Sequence, residues 1–97
     1  RIYDLFNFPN PMRDHTEVTY MLSHPADVNY AIYTLAGRKI MSDMQGFRNQ
    51  GFNSFPWDGH DRFGNQLANG VYILVVEADN DDFGEPAQSL QKLVITR

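Results

Sequence analysis

The sequence predicts an all-β domain, an Ig-like antiparallel β-sandwich of about seven strands. Short segments in which apolar and polar residues alternate recur about every ten residues along the chain. Clusters of Pro, Gly and Asn separate these segments, as turns do. No segment has the 3.6-residue periodicity of an amphipathic helix, and the aromatic fraction of 13% favours strands. The 97 residues suffice for one such domain.

The N-terminal half contains the clearest alternation. Residues 5–8 are predicted as an entry or edge strand, because Pro9 and Pro11 remove two ladder donors directly after it. Two longer strands follow in residues 16–23 and 28–35. Their predicted core face is formed by Val18, Tyr20, Leu22, Val28, Tyr30 and Ile32. Gly37 then supplies a tight turn that leads into a short strand at residues 38–41. The polar, Gly-bearing residues 43–51 are predicted as a loop.

The C-terminal half is predicted to supply the remaining strands. Phe55 and Trp57 lie on one side of an extended run at residues 52–57. After a turn, residues 71–78 are apolar at nearly every position, which predicts a central strand covered on both faces. The acidic residues 79–86 are predicted as a surface connection. Residues 87–96 form the last strand, at the edge of its sheet.

Composition excludes several classes of function. The net charge of −4 and the scattered Lys and Arg residues disfavour nucleic-acid binding. No apolar run is long enough to span a bilayer as a helix. The absence of cysteine excludes disulfides, a thiolate zinc site and a cysteine nucleophile. The chain begins at Arg1 without a signal-peptide pattern, so we expect a fragment of a longer polypeptide with any export signal upstream.

The sequence contains no catalytic or cofactor-binding motif. His15, His24 and His60 adjoin turn residues, where we expect them to face water. The serines lack a G-x-S-x-G context, and the glycines do not form a phosphate-binding loop. The prediction is therefore a non-enzymatic domain without a cofactor.

Two binding alternatives remain open at the turn after residue 57. Asp58, Asp61 and Asn65 offer the oxygen ligands that calcium takes, but the same residue types also build turns. Trp57 is either a carbohydrate-stacking residue or part of the core, and a single Trp on an alternating strand favours the core.

The run W-D-G-H-D-R-F-G-N at residues 57–65, followed by G-V-Y at 70–72, resembles the Ig-like domain family first named for the flagellar hook-capping protein. The resemblance implies a role in fold and turn for Trp57, Asp58, Gly59, Asp61, Gly64, Asn65 and Gly70. In this family pattern the Trp fills the core, Asp58 and Gly59 start a turn, and Gly64 and Asn65 allow left-handed backbone. Gly70 then admits the next strand.

A second resemblance covers nearly the whole chain. F-P-N-P-M at residues 8–12, I-Y-T-L-A-G-R at 32–38 and K-L-V-I at 92–95 are similar to the pattern of type IX secretion sorting domains, although Met12 replaces the usual Phe. This resemblance implies a C-terminal signal that the type IX outer-membrane translocon recognises, and in many substrates a sortase then attaches the upstream cargo to the cell surface. The implied signal positions are Pro9, Asn10, Pro11, Gly70, Tyr72, Lys92, Leu93, Val94 and Ile95.

These patterns lead to a main hypothesis and an alternative. In the main hypothesis the domain directs a secreted or cell-surface cargo through the type IX system, and the unpaired backbone of the final strand adds to a strand of a partner. The same exposed edges allow an edge-strand dimer. In the alternative, the chain is a structural Ig-like domain packed on a peptidase, sortase or glycoside hydrolase, without a signal role.

Overall fold

The computed structural model of the protein describes residues 1–80 and 84–97, so the middle of the predicted acidic connection lies outside the described residues. The described residues form seven β-strands, which confirms the predicted all-β architecture. The strands are β1 (Ile2–Phe8), β2 (Thr16–Leu22), β3 (Ala26–Thr34), β4 (Lys39–Arg48), β5 (Gly51–Trp57), β6 (Gly70–Asp79) and β7 (Ala87–Ile95).

The strands form two antiparallel sheets that face each other. One sheet has the order β1-β2-β5, and the other has the order β4-β3-β6-β7. The strands at the four sheet edges are therefore β1, β5, β4 and β7. The described residues contain no helix that is long and apolar enough to cross a membrane.

The alternation in the sequence places one face of each strand in the core. All six predicted core residues of β2 and β3 are buried, and Phe55 and Trp57 of β5 join them. The Phe55 ring stacks on Tyr30 at a centroid distance of 4.5 Å and meets Tyr20 edge-on at 6.3 Å. The aromatic residues thus connect the two sheets at the centre of the sandwich.

The predicted loop at residues 43–51 is wrong, because β4 continues to Arg48 and only Asn49 and Gln50 separate it from β5. β4 pairs with β3 through two register shifts. At one of them Gln45 is the extra residue, beside Gly46 with φ +77°. Each bulge reverses which face the following residues point to, so β4 lacks the simple alternation that marks a strand.

The prediction that residues 71–78 are covered on both faces is also wrong. β6 is central in hydrogen bonding, since it lies between β3 and β7. Its inward residues Tyr72, Leu74, Val76 and Ala78 are buried, whereas the outward residues between them are only half-buried. Because the outward side chains are also mostly apolar, the sequence of β6 resembles that of a strand buried on both faces.

Two further local predictions have clear outcomes. Gly37 has φ +90° and donates its N–H to the Thr34 carbonyl (2.9 Å), which confirms the predicted tight turn. The first strand begins at Ile2 rather than at residue 5, because it contains a bulge between Tyr3 and Phe6 where Asp4 has φ +54°.

Candidate functional site

The segment that follows β1 runs along the outer edge of β7. We call residues 9–12 the strap. The Met12 N–H donates to the Val94 carbonyl (2.8 Å), and the Thr96 N–H donates to the Met12 carbonyl (2.8 Å). Met12 and Ile95 thereby form a parallel bridge, and the Met12 side chain is fully buried. The chain thus leaves one sheet with β1 and closes the edge of the other with the strap.

Asn10 fastens the strap to β7 with its side-chain amide. Its Nδ2 donates to the Lys92 carbonyl (3.0 Å), and its Oδ1 accepts the Val94 N–H (3.0 Å). These two contacts are those that a neighbouring strand would make, and the flanking Pro9 and Pro11 have no N–H to offer. The side chain of Asn10, a predicted signal residue, therefore pairs with the edge of β7 in the way that the backbone of a neighbouring strand would.

A buried polar network supports Asn10 from below. Asn7 and Thr16 are the buried polar residues of the described chain. The Asn7 Oδ1 accepts from Asn10 Nδ2 (3.1 Å) and from Gln91 Nε2 (3.1 Å), and Asn7 Nδ2 donates to Thr16 Oγ1 (3.1 Å). The Thr16 hydroxyl in turn donates to the Pro9 carbonyl (2.9 Å). Because its buried members are paired, the network fixes the strap rather than straining it.

Asn7, Thr16 and Gln91 were not predicted as site residues from the sequence. The sequence nevertheless indicates that two of these polar residues face the core. Thr16 is two residues before Val18 and so lies on the same face of the strand, and Asn7 interrupts an apolar run directly before the strap. A polar residue at an inward position must find a partner in the fold. The sequence does not show that this partner network joins the first, second and last strands.

The turn after β5 is built as the family pattern implies. The buried Trp57 donates its Nε1–H to the His60 carbonyl (3.1 Å), and Asp58 Oδ1 accepts the His60 N–H (3.0 Å). Asp58 thus begins the turn, and the indole closes it over the core. With 3% of its surface exposed, Trp57 cannot stack on a sugar, so the carbohydrate-binding alternative is wrong.

Asp61 organises the second part of this turn. Its Oδ1 accepts the N–H groups of Phe63 (2.9 Å) and Asn65 (2.9 Å). The hydrogen bond from the Asn65 N–H has the largest effect on the pKa of the Asp61 carboxyl. Together with the hydrogen bond from Phe63 it outweighs desolvation and holds this pKa below its usual value. Gly64 has φ +84°, as predicted, but Asn65 does not have the left-handed backbone predicted for it.

These contacts account for Asp58 and Asp61 as turn-forming residues. Residues 1–80 and 84–97 contain no group of three or more His, Cys, Asp or Glu side chains that could hold a metal ion. The calcium alternative at residues 58–65 stays a prediction without further support.

The turn packs directly on the strap and on the end of the chain. Gly59 has φ +78°, and a Cβ atom on it would lie 3.3 Å from Met12 Cε and 3.0 Å from Arg97 Nη2. Arg97 donates to the Leu67 carbonyl, and its N–H donates to Asn69 Oδ1 (3.0 Å). Gly59 is therefore required both for its backbone conformation and for the close approach of the strap.

Gly70 and Tyr72 complete this corner of the sandwich. Gly70 begins β6, as predicted, and the Tyr72 hydroxyl donates to the Ala68 carbonyl (2.7 Å) while its ring is buried. The strap, the turn region at residues 57–72 and the predicted segment at residues 92–95, together with the chain end that follows it, thus meet at one corner. We call this corner the motif junction.

The final strand lies at a sheet edge, as predicted, but its last residues are not a free edge. Leu93 and Ile95 are buried and belong to the register with β6. Asn10 and Met12 occupy the outward carbonyl of Lys92 and both outward backbone groups of Val94. The hypothesis that residues 92–95 offer unpaired backbone to a partner is therefore wrong for this conformation.

Comparisons with known proteins agree with this architecture. Residues 12–82 match the family model of the FlgD Ig-like domain. FlgD from P. aeruginosa is 26% identical, with a TM-score of 0.71 over 84% of this chain and 60% of that chain. No curated protein matches the chain significantly.

Two solved proteins of Porphyromonas gingivalis share the fold over almost the whole chain. Dimeric latent PorU has a TM-score of 0.79 and 20% identity, and the match covers 98% of this chain but 9% of PorU. PorZ, described as an essential bacterial surface component of the type-IX secretion system, has a TM-score of 0.59 and 19% identity. That match covers 97% of this chain and 12% of PorZ.

Proposed function

The chain belongs to the FlgD Ig-like domain family, and we propose that it is a non-catalytic sorting domain that directs a larger protein through the type IX outer-membrane secretion system to the cell surface. In this proposal residues 1–97 are one module of a longer polypeptide. Its partners are the type IX translocon, a sortase component and an upstream cargo domain. The proposed location of the assembled product is the cell surface or the medium.

The motif junction is the observation that carries the proposal. Residues far apart in the sequence, 9–12 and 92–97, are joined by backbone and side-chain hydrogen bonds. A sorting signal read in the folded state needs such a surface, in which several segments have one fixed arrangement. Two of the three segments that resemble the sorting pattern, residues 8–12 and 92–95, meet here, although most of the sandwich lies elsewhere.

The similarity to PorU and PorZ supports the same proposal. In both proteins the matching region is a small part of a long chain, 9% and 12% respectively. PorZ is itself a surface component of the type-IX secretion system. A domain of this size that recurs in such proteins suits a transferable signal better than a self-contained activity.

An export assay tests the proposal. Residues 1–97 are fused to the C-terminus of a reporter that carries an ordinary periplasmic signal peptide, in a bacterium with a type IX system. We expect the reporter at the cell surface or in the medium in the parent strain, and in the periplasm when the translocon is deleted. Retention of the reporter in the periplasm of the parent strain would contradict the proposal.

The Ig-like domain of P. aeruginosa FlgD is the matched control, because it has the same fold at 26% identity. Fused at the same position, it is expected to leave the reporter in the periplasm. Export of this control as well would mean that the sandwich alone is recognised, and that the motif junction is not the signal.

A second candidate function is a structural domain packed on a catalytic neighbour. The observation in its favour is an apolar outer face on the β1-β2-β5 sheet. Phe6, Phe8 and Phe52 project from this face with 51%, 74% and 68% of their surface exposed. Large exposed aromatic residues on one face are typical of a surface that contacts another protein. Replacing the three with Ser distinguishes the functions: the sorting proposal expects continued export, and a packing role expects loss of stability in the full-length parent protein.

A further inference from the structure

We propose that the outer edge of β7 at Gln88 and Leu90 receives an extended peptide segment of the partner, which joins the four-stranded sheet as an additional strand. This inference rests on the proposed sorting function, and it identifies the partner's binding element as a short stretch of extended main chain. The site differs from the motif junction, because it lies at the opposite end of the same strand.

The direction of the backbone groups follows from the contacts of the strap. In an antiparallel strand, alternate residues direct both their N–H and C=O groups to the same side. The Lys92 carbonyl and both backbone groups of Val94 point outward, because their partners are Asn10 and Met12 of the strap. β7 pairs with β6 without a register shift, so Gln88 and Leu90 must also direct theirs outward. Within the described chain, no group is bonded to these outward N–H and C=O groups.

The three other sheet edges carry features that oppose the addition of a strand. β4 contains two bulges and β1 contains one, which interrupt the regular spacing of donors and acceptors. β5 contains Pro56, which has no N–H, and natural sheets use Pro in this way at exposed edges. Among the described residues, the first half of β7 is an edge that is regular, free of Pro and uncovered.

The surroundings of this edge define the segment that fits it. The Lys92 carbonyl already accepts from Asn10, so the added strand ends before it, and about four residues suffice to pair with residues 88–91. Leu90 is 63% exposed and lies beside Val75 on the outer face, so an apolar side chain of the segment packs there. An acidic side chain beside the exposed Lys92 completes the match.

A second copy of this chain is a poorer occupant. Two β7 strands paired about Leu90 would place the Gln88 N–H of one copy opposite the Lys92 carbonyl of the other. That carbonyl already accepts from Asn10 Nδ2 (3.0 Å). A separate peptide can end before this position, so we assign the site to an extended segment of the partner. A symmetric pair centred on Ser89 would avoid the Lys92 carbonyl, and the test below therefore includes a dimer among its outcomes.

The test removes one outward N–H at a time in the reporter fusion described above. Leu90→Pro and Gln88→Pro delete an outward N–H that the sheet itself does not use, and Pro is tolerated at such edge positions. Leu90→Ala and Gln88→Ala are the matched controls, since they shorten the same side chains and keep the N–H. Thermal unfolding of the purified chains identifies any proline variant that fails to fold. The other position then provides the test.

We expect the folded proline variants to reduce export about tenfold or more, because a carbonyl group of the added strand is left unpaired. The alanine variants are expected to export within about threefold of the unchanged chain. Normal export of a folded proline variant overturns the inference and leaves the sorting function intact. If the unchanged chain is not exported, both proposals fall together. A dimer of the purified chain that Leu90→Pro abolishes would also overturn the inference, since the edge would then hold a second copy.

Discussion

Replacing Asn10 with Ala removes the side chain that fastens the strap to β7, while the strap backbone remains. Three hydrogen bonds are lost, to the Lys92 carbonyl, the Val94 N–H and Asn7 Oδ1. An intramolecular hydrogen bond contributes about 0.5–1.5 kcal/mol net. Asn10 is exposed, so water replaces part of each lost contact. We therefore expect the free energy of unfolding to fall by about 1–2 kcal/mol, below the sum of three full bonds.

For a domain of this size, a change of about 1 kcal/mol shifts the midpoint of thermal unfolding by about 4–8 °C. The variant should therefore melt about 4–16 °C below the unchanged chain. Hydrogen exchange gives a local readout, because the Val94 N–H has Asn10 Oδ1 as its partner. We expect this N–H to lose its protection, while the N–H groups of Leu93 and Ile95, which face β6, keep theirs.

Asn10→Asp separates the two halves of this interaction. An Asp side chain keeps an acceptor for the Val94 N–H, but it places a carboxylate next to Asn7 Oδ1 and the Lys92 carbonyl. Repulsion between these oxygens raises the pKa of the new carboxyl in the folded state. Stability is then retained at pH values below about 4, and it is lost as the pH rises and the carboxylate forms.

An Asn10→Ala variant with unchanged stability and a protected Val94 N–H would refute this account of the strap.

Three further predictions concern the turn and the core. Trp57→Ala should reduce the free energy of unfolding in urea by about 3–5 kcal/mol, and Trp57→Phe by about 1–2 kcal/mol; a cost below about 1 kcal/mol for Ala would show that the indole is not a core group. Gly59→Ala should cost more than Gly64→Ala, because both glycines have positive φ but only a Cβ added at Gly59 would meet the strap and the chain end; equal costs would contradict that contact. Burial, together with two nearby carboxylates, raises the pKa of Tyr30 to about 12. An ultraviolet titration of the tyrosines should show this residue ionising late. The contribution of Tyr30 to the free energy of unfolding should be retained below pH about 10 and lost as the pH rises through about 12. Tyr30→Phe should reduce that loss.

The sequence predicted those strands whose side-chain period is undisturbed. β2, β3 and β5 were predicted because every second residue faces the core, which is visible without coordinates. The start of β4 was predicted at residues 38–41, but its continuation to Arg48 was missed because its two bulges interrupt that period and the resulting pattern looks like a polar loop. β6 was misjudged because its outward residues include Val71, Ile73 and Val75, so the composition did not distinguish one buried face from two.

The site was predictable where its interactions are local. Gly64 and Asp61 form hydrogen bonds within the turn, and the turn residues therefore reveal themselves by type and spacing. The network under the strap was not predictable, since Gln91 and Asn7 meet across a sequence separation of 84 residues. The same distance explains the wrong expectation for the end of β7. Nothing near Val94 in the sequence shows that its outward N–H will be bonded to the side chain of Asn10.

The strap gives Asn10 two roles that export measurements can separate. If the translocon reads the strap itself, Asn10→Ala should abolish export even at a temperature where the variant is folded. If the translocon reads the free edge at Gln88 and Leu90, the same variant should still be exported, because the strap serves to hold the sandwich together and to mark where the added strand ends. Export of folded Asn10→Ala, measured below its lowered melting temperature and compared with Leu90→Pro, distinguishes the two. Loss of export in Asn10→Ala together with normal export in Leu90→Pro would place recognition at the motif junction instead of the free edge.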